Sequence, residues 1–185
     1  MKKLNGAVVI YIGLFCLQNH AYSRDLALNE LGHISEINYG FDNYAYIKVS
    51  NGNSNLATIT QKSVIGLSNN KAAISQSGNN NKAIIHQRGA YNKAVIQQDG
   101  YSNHAYISEN GYDNTAIILQ AGYNNKATIV QKGNGNEGEI SQYGNDNTAL
   151  IVQKSNVKSF KSQVTQTGGQ THVIINGMNR NIVID

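Results

Sequence analysis

From Asn81 to Gln153 the chain repeats one eleven-residue unit without a slip. Asn81, Ala83, Ile85, Gln87 and Gly89 are followed by Asn92, Ala94, Ile96, Gln98 and Gly100, and Asn103, Asn114, Asn125, Asn136 and Asn147 restart the unit in turn. A repeat this strict restricts the fold to an array in which each unit meets the same neighbours. Within a unit Asn, Ala, Ile and Gln stand at i, i+2, i+4 and i+6, which places all four on one face of a strand. A helix would scatter them around its circumference. The intervening positions carry Lys, Thr, Ser, Tyr, His, Glu and some aliphatics, and point the other way. Gly with Asn, Asp, Tyr or Ser then supplies a turn with positive-φ positions.

One such strand and turn cannot bury its apolar face alone, but two folded face to face can. The expected fold is therefore all-β: a β-solenoid of stacked strand–turn–strand rungs, each rung made of two eleven-residue half-repeats. Rungs stack about 4.8 Å apart, each strand pairing with its equivalents above and below. Ile85, Ile96, Ile107, Ile118, Ile129, Ile140 and Ile151 form the apolar column with the alanines. Asn81, Asn92, Asn103, Asn114, Asn125, Asn136 and Asn147 line one side of it, and Gln87, Gln98, Gln120, Gln131, Gln142 and Gln153 the other. Identical amides stacked in register bond to one another, which offsets the cost of burying them.

Looser copies flank the block. Asn43, Ala45 and Ile47, then Asn55, Ala57, Ile59 and Gln61, precede it, and Val49 stands where Gln is expected. The next copy starts at Asn70, so Ser63 to Asn69 is expected to hold a bulge or longer turn. Beyond Gln153 the phase slips by two, giving a degenerate unit at Ser162, Val164 and Gln166. A second is read at Thr171, Val173 and Ile175, with Phe160, Ser162 and Gly177 replacing Asn, Ala and Gln. The regular block is the expected stable core, and the irregular C-terminal side the less favoured face for elongation.

The composition agrees with strands and tight turns. Charged residues are 14% of the chain, against about 25% in ordinary globular domains, and Pro is absent. Met1, Lys2 and Lys3, an apolar run from Leu4 to Leu17, and Ala21-Tyr22-Ser23 read as a secretory signal cleaved after Ser23. The alternatives are a membrane anchor, for which the run is short, and a lipoprotein signal, which bulky Phe15 before Cys16 disfavours. Cleavage removes the only Cys together with Lys2 and Lys3, leaving thirteen basic against eleven acidic residues, a net +2. That balance is too mild to argue for nucleic acid. The expected division is a signal peptide at 1–23, an N-terminal segment at 24–42, the solenoid at 43–166 and a C-terminal extension at 167–185.

Other features admit two readings each. Glu109 occupies a glutamine slot, either as a pH-sensitive brake or as a tolerated deviation near the sheet margin. Tyr101, Tyr112 and Tyr123 share one slot, either as a sugar-binding strip or as turn packing, and Tyr101 is placed to stack on Tyr123. Ile117, Leu119, Leu150 and Val152 face outward, as ordinary exposed aliphatics or as lateral contacts. His33, His86, His104 and His172 show no ligand spacing. No phosphate-binding loop or nucleophile elbow appears. Glu137 and Glu139 are read as alternating in face without partners. The chain is therefore read as no enzyme, without cofactor, metal or small-molecule substrate. Outward Thr-x-Thr ladders, as ice binding would need, are missing.

The Asn and Gln spacing, paired into double units from about Asn43 to Gln166, resembles the curlin repeats of bacterial curli fibres. Within that family the chain is most similar to the minor, nucleating subunit. Asp25-Leu26-Ala27 and Asn29-Glu30-Leu31, the mildly positive charge, Ile140 to Gly144 and Thr148 to Lys154 carry that likeness. The resemblance implies an amyloid-forming protein exported through an outer-membrane curli secretion channel with accessory factors. It implies templating of the major curlin subunit on the bacterial surface through an open sheet edge, and self-association into fimbrial fibres. Lys154, Lys158 and Lys161 fall where the family's irregular final repeat serves surface attachment, although the chain continues from Thr167 to Asp185. A major fibre subunit and a capped monomeric β-solenoid adhesin are the alternatives.

Overall fold

A computed structural model describes residues 43–63, 69–155, 161–177 and, as backbone, 180–184. The expected signal and N-terminal segments, Lys158 and Phe160 lie outside these residues, as does most of the expected bulge after Ser63. The elements are β1 (Tyr44–Ser50), β2 (Leu56–Lys62), β3 (Lys71–Asn79), β4 (Lys82–Ala90), β5 (Lys93–Tyr101), β6 (His104–Tyr112) and β7 (Thr115–Tyr123). They continue with β8 (Lys126–Asn134), β9 (Glu137–Asn145), β10 (Thr148–Ser155), β11 (Lys161–Gln166), β12 (Thr171–Gly177) and β13 (Arg180–Ile184).

The odd-numbered strands up to β11 form one sheet, in the order β1-β3-β5-β7-β9-β11. The even-numbered strands and β13 form the other, in the order β13-β12-β10-β8-β6-β4-β2. All pairs are parallel except β12 with β13. Each strand pairs with its equivalent one double unit away, as Ile96 does with Ile118 and Ile107 with Ile129. The fold is the expected β-solenoid. The inward slots hold the core: eight isoleucines from Ile74 to Ile151 are fully buried, with the alanine column beside them.

Irregular spacing is absorbed in the turns, while the register within the strands is kept. Ala45 pairs with Ala72 and Ile47 with Ile74 across the longer connection after β2. Ser162, Val164 and Gln166 pair with Gly138, Ile140 and Gln142, which is the expected slip of two. The final unit corrects the sequence reading. His172, Ile174 and Asn176 occupy the Ala, Ile and Gln slots opposite Ala149, Ile151 and Gln153, so Thr171, Val173 and Ile175 face outward. Gly177 pairs with Lys154 and replaces no glutamine. The cause is the turn at Gly168 and Gly169, which is one residue shorter than the regular turn. Gln170, four residues after Gln166, accepts the Thr148 amide hydrogen bond at 2.8 Å that an Asn-slot carbonyl accepts elsewhere. A shift of one residue exchanges the two faces of a strand.

The turns explain the invariant spacing. Asn80, Tyr91, Ser102, Asp113, Asn124 and Asp146 have φ between 53° and 60°, each in its own regular turn, and Gly135 takes the same position in the turn after β8 with φ of 65°. Gly78, Gly89, Gly100, Gly111 and Gly122 before them are constrained from outside as well. Gly100 has φ of 117°, and a Cβ there would lie 2.1 Å from the carbonyl oxygen of Gly122, one rung on. Gly100→Ala therefore meets both an unfavourable φ and a backbone clash. The φ alone costs roughly 1–3 kcal/mol, and the guanidinium midpoint of the β-sheet circular dichroism signal is expected to fall accordingly.

Candidate functional site: two amide ladders and two ends

The inward amides form continuous columns. In the odd-strand sheet the Gln76 Nε2 donates to Gln98 Oε1, Gln98 to Gln120 and Gln120 to Gln142, each at 2.8 Å, and Gln142 donates to Gln166 at 2.7 Å. In the even-strand sheet Gln61 donates to Gln87, and Gln131 to Gln153, at 2.8 Å. Glutamine Nε2 groups also reach across the core, as from Gln98 to the Lys82 carbonyl at 3.0 Å. Each column thus ties the two sheets together as well as successive rungs.

The asparagine columns run in the opposite sense. Asn92 Nδ2 donates back to Asn70 Oδ1, Asn114 to Asn92 and Asn136 to Asn114, at 2.8–3.0 Å. On the other sheet Asn103, Asn125 and Asn147 donate back to Asn81, Asn103 and Asn125. Each Asn side chain also holds a turn, as Asn114 Nδ2 does through the Gly133 carbonyl at 2.8 Å. Asn81, Asn92, Asn103, Asn114, Asn125, Asn136 and Asn147 are all buried, as are Gln87, Gln98, Gln120, Gln131, Gln142 and Gln153.

Glu109 stands in the third slot of the even-strand glutamine column. Its Oε2 accepts from Gln87 Nε2 at 2.7 Å, and it is 1% exposed. It sits on β6, in the interior of the seven-stranded sheet, which corrects its placement near a margin. Burial pushes its carboxyl well above the usual carboxylate range, and the Gln87 hydrogen bond pulls it partly back.

The two ends of the stack differ. At the N-terminal end β1 and β2 pair on one side only with described strands. Their inward slots carry Ala45, Ile47 and Val49, and Ala57, Ile59 and Gln61. At the C-terminal end β11 ends one sheet, but β12 is covered by the antiparallel β13, with Val173 opposite Ile184 and Gly177 opposite Arg180. The antiparallel strand is a feature the repeat gave no means of finding.

On the outside, Tyr101 and Tyr123 stack with centroids 5.5 Å apart and rings 11° from parallel. Ile117, Leu119, Leu150 and Val152 are half-buried outward residues. The even-strand sheet carries Lys62, Lys82, Arg88, Lys126, Lys132 and Lys154 at outward positions of β2, β4, β8 and β10, and no Asp or Glu at the outward positions described there. His104, between Lys82 and Lys126 in register, has its pKa lowered first by burial and then by those two cations. Lys154 extends the column containing Lys132, while Lys161 lies on the other sheet beside Glu137. Glu137 and Glu139, two residues apart on β9, both face outward. This corrects both parts of their reading: residues at i and i+2 share a face, and Lys161 neighbours Glu137. Among the described residues no group of three His, Cys, Asp or Glu is placed to hold a metal ion.

Matched against known families, residues 39–62, 68–89, 78–111, 111–144 and 122–154 fit the curlin associated repeat. The matches cover more than half of the chain and contain the regular ladder positions. The chain belongs to the curlin repeat family. The curlin repeat accounts for the eleven-residue unit, and membership implies a structural protein that self-associates into fibres at the cell exterior. No curated protein and no solved structure matches the chain.

Proposed function

We propose that this curlin-repeat chain is the minor, nucleating subunit of a cell-surface curli fibre. It templates the major subunit through the open edges of β1 and β2. The observation that carries this reading is the inequality of the two ends. An interior fibre subunit needs a neighbour of the same geometry above and below, whereas a parallel incoming strand cannot continue past the antiparallel β13 in register with the Ala, Ile and Gln slots. A chain closed over half of one end suits the end of a fibre. The other end offers backbone edges that no described strand pairs, of the kind globular proteins cover, and strand addition there uses backbone bonds for affinity and matched columns for register. Ordering the first rungs costs about 1–2 kcal/mol per residue of backbone entropy before stacking returns anything, and a folded template removes most of that barrier.

Export by the signal peptide through the outer-membrane curli channel belongs to the same reading. So does surface attachment by Lys154, Lys158 and Lys161, and Lys154 adds to the cation column on the even-strand face. The test is seeding. Residues 24–185, diluted from denaturant, are added at a few per cent to freshly desalted major curlin while an amyloid dye is followed. A collapsed lag phase is expected. An unchanged lag with a soluble, dye-negative chain would identify a capped adhesin, and an unchanged lag with rapid self-assembly a fibre subunit.

A further inference from the structure

Two glutamine oxygens in the ladders lack a hydrogen-bond donor, Gln76 Oε1 and Gln131 Oε1. Both follow a slot that holds no amide. Val49 precedes Gln76 in register, and Glu109 precedes Gln131. Where glutamine does precede, as at Gln98, Gln120, Gln142, Gln153 and Gln166, its Nε2 fills the acceptor. The gap at Gln131 has a counterpart that the gap at Gln76 lacks, because Glu109 Oε1 is itself buried and without a partner. Successive slots of one column thus bring two acceptor oxygens with no hydrogen between them. A hydrogen on Glu109 Oε1 turns that oxygen into a donor directed along the column, as Nε2 is in every glutamine slot.

We propose that Glu109 is carried in the folded stack as the neutral acid, with its proton donated to Gln131, so that the rung forms by taking up a proton. This goes beyond the nucleating role and does not depend on it. The inward slots of β4 and β8, on either side, hold Ala, Ile and Gln, as do those of β5 and β7 across the core. Lys82, His86 and Arg88 of β4 stand at outward positions, as do Lys126 and Lys132 of β8 and Lys93 and Asp99 of β5. Tyr101 of β5 and Tyr123 of β7 are exposed at the strand ends. Among the described residues no cation therefore faces Glu109 to hold it ionised. Burial raises its pKa in the same direction.

The sign follows from the raised pKa. The contribution of the acid to stability is fully present below the carboxyl's unfolded pKa, about 4.3. It is lost as pH rises towards the folded value, by about tenfold in the folding constant per pH unit. Wild type, Glu109→Gln and the exposed-site control Glu137→Gln are compared at pH 5 and pH 7.5 by guanidinium unfolding. Wild type and Glu137→Gln are expected to lose stability at the higher pH relative to Glu109→Gln, whose amide continues the ladder at both. All three carry the same histidines, so the difference isolates Glu109. A Glu109→Gln protein with the wild-type pH slope would overturn the proposal. Infrared spectra supply a check independent of stability: folded wild type near neutral pH should show the carbonyl stretch of a protonated acid that Glu109→Gln lacks, and its absence from wild type would also overturn it.

Discussion

Asn114→Ala is expected to be among the most destabilising single substitutions in the stack, lowering stability by about 3–5 kcal/mol. The Asn114 side chain makes four hydrogen bonds in a buried site. Its Nδ2 donates to Asn92 Oδ1 at 2.9 Å and to the Gly133 carbonyl at 2.8 Å. Its Oδ1 accepts from the Asn136 amide at 3.1 Å and from Asn136 Nδ2 at 2.8 Å. Alanine removes all four and leaves the Asn136 backbone N–H without this acceptor in the interior. Each orphaned buried group costs about 1–3 kcal/mol, more than the net value of the bond it lost. Asn114→Asp keeps the acceptor for Asn136 but sets a buried carboxyl oxygen against Asn92 Oδ1 and the Gly133 carbonyl, so its loss is expected to be larger at neutral pH than at pH 4, where the acid is protonated. Both are read from the guanidinium midpoint of the β-sheet signal.

Ile118→Ala is expected to cost about 2–5 kcal/mol, the range for truncating a buried aliphatic side chain. Ile118 is fully buried between Ile96 and Ile140 in the column. The parallel rungs on either side hold the backbone spacing, so the vacated volume is poorly refilled. The neighbouring residue supplies the control. Ile117 is on the same strand with the opposite face outward, and Ile117→Ser is expected to stay within about 0.5 kcal/mol of wild type, as surface changes do. Denaturation of both variants by the same method gives the comparison. Equal losses would mean that the outward face of β7 is packed against something in the assembled state.

These two residues show why the fold was legible in the sequence. The two-residue alternation assigns Ile117 and Ile118 to different faces, and the eleven-residue period gives each its partners above and below. Register follows from the period wherever the turns are equal, as between Asn81 and Gln153. It failed at Thr171, because a turn shortened by one residue exchanges faces and the degenerate unit has too few Asn and Gln residues to reveal the exchange. The antiparallel β13 was illegible for a simpler reason: Arg180 to Ile184 carries no repeat signature. At the candidate site, the identity of the ladder residues was readable from their spacing. The orphaned oxygens beside Glu109 were not, since they depend on which way each amide turns, and that is fixed by carbonyls such as those of Lys82 and Gly133 on other rungs.

The opposed sense of the two amide columns gives the stack an arrow. Glutamine Nε2 groups point towards later rungs and asparagine Nδ2 groups towards earlier ones. A stack of regular rungs therefore presents glutamine acceptors beside asparagine donors on one end and the converse on the other. Two regular stacks meeting head to tail match donors with acceptors in both columns. Two regular stacks meeting head to head set acceptor against acceptor and donor against donor. Association through these ends is consequently heterologous, related by translation with no two-fold axis, and a contact of that kind does not close on itself. Stacks joined this way form an open line in which every member faces the same direction, and in this chain the antiparallel β13 ends that line beyond β12, so an orientation set here passes only to what adds beyond β1 and β2.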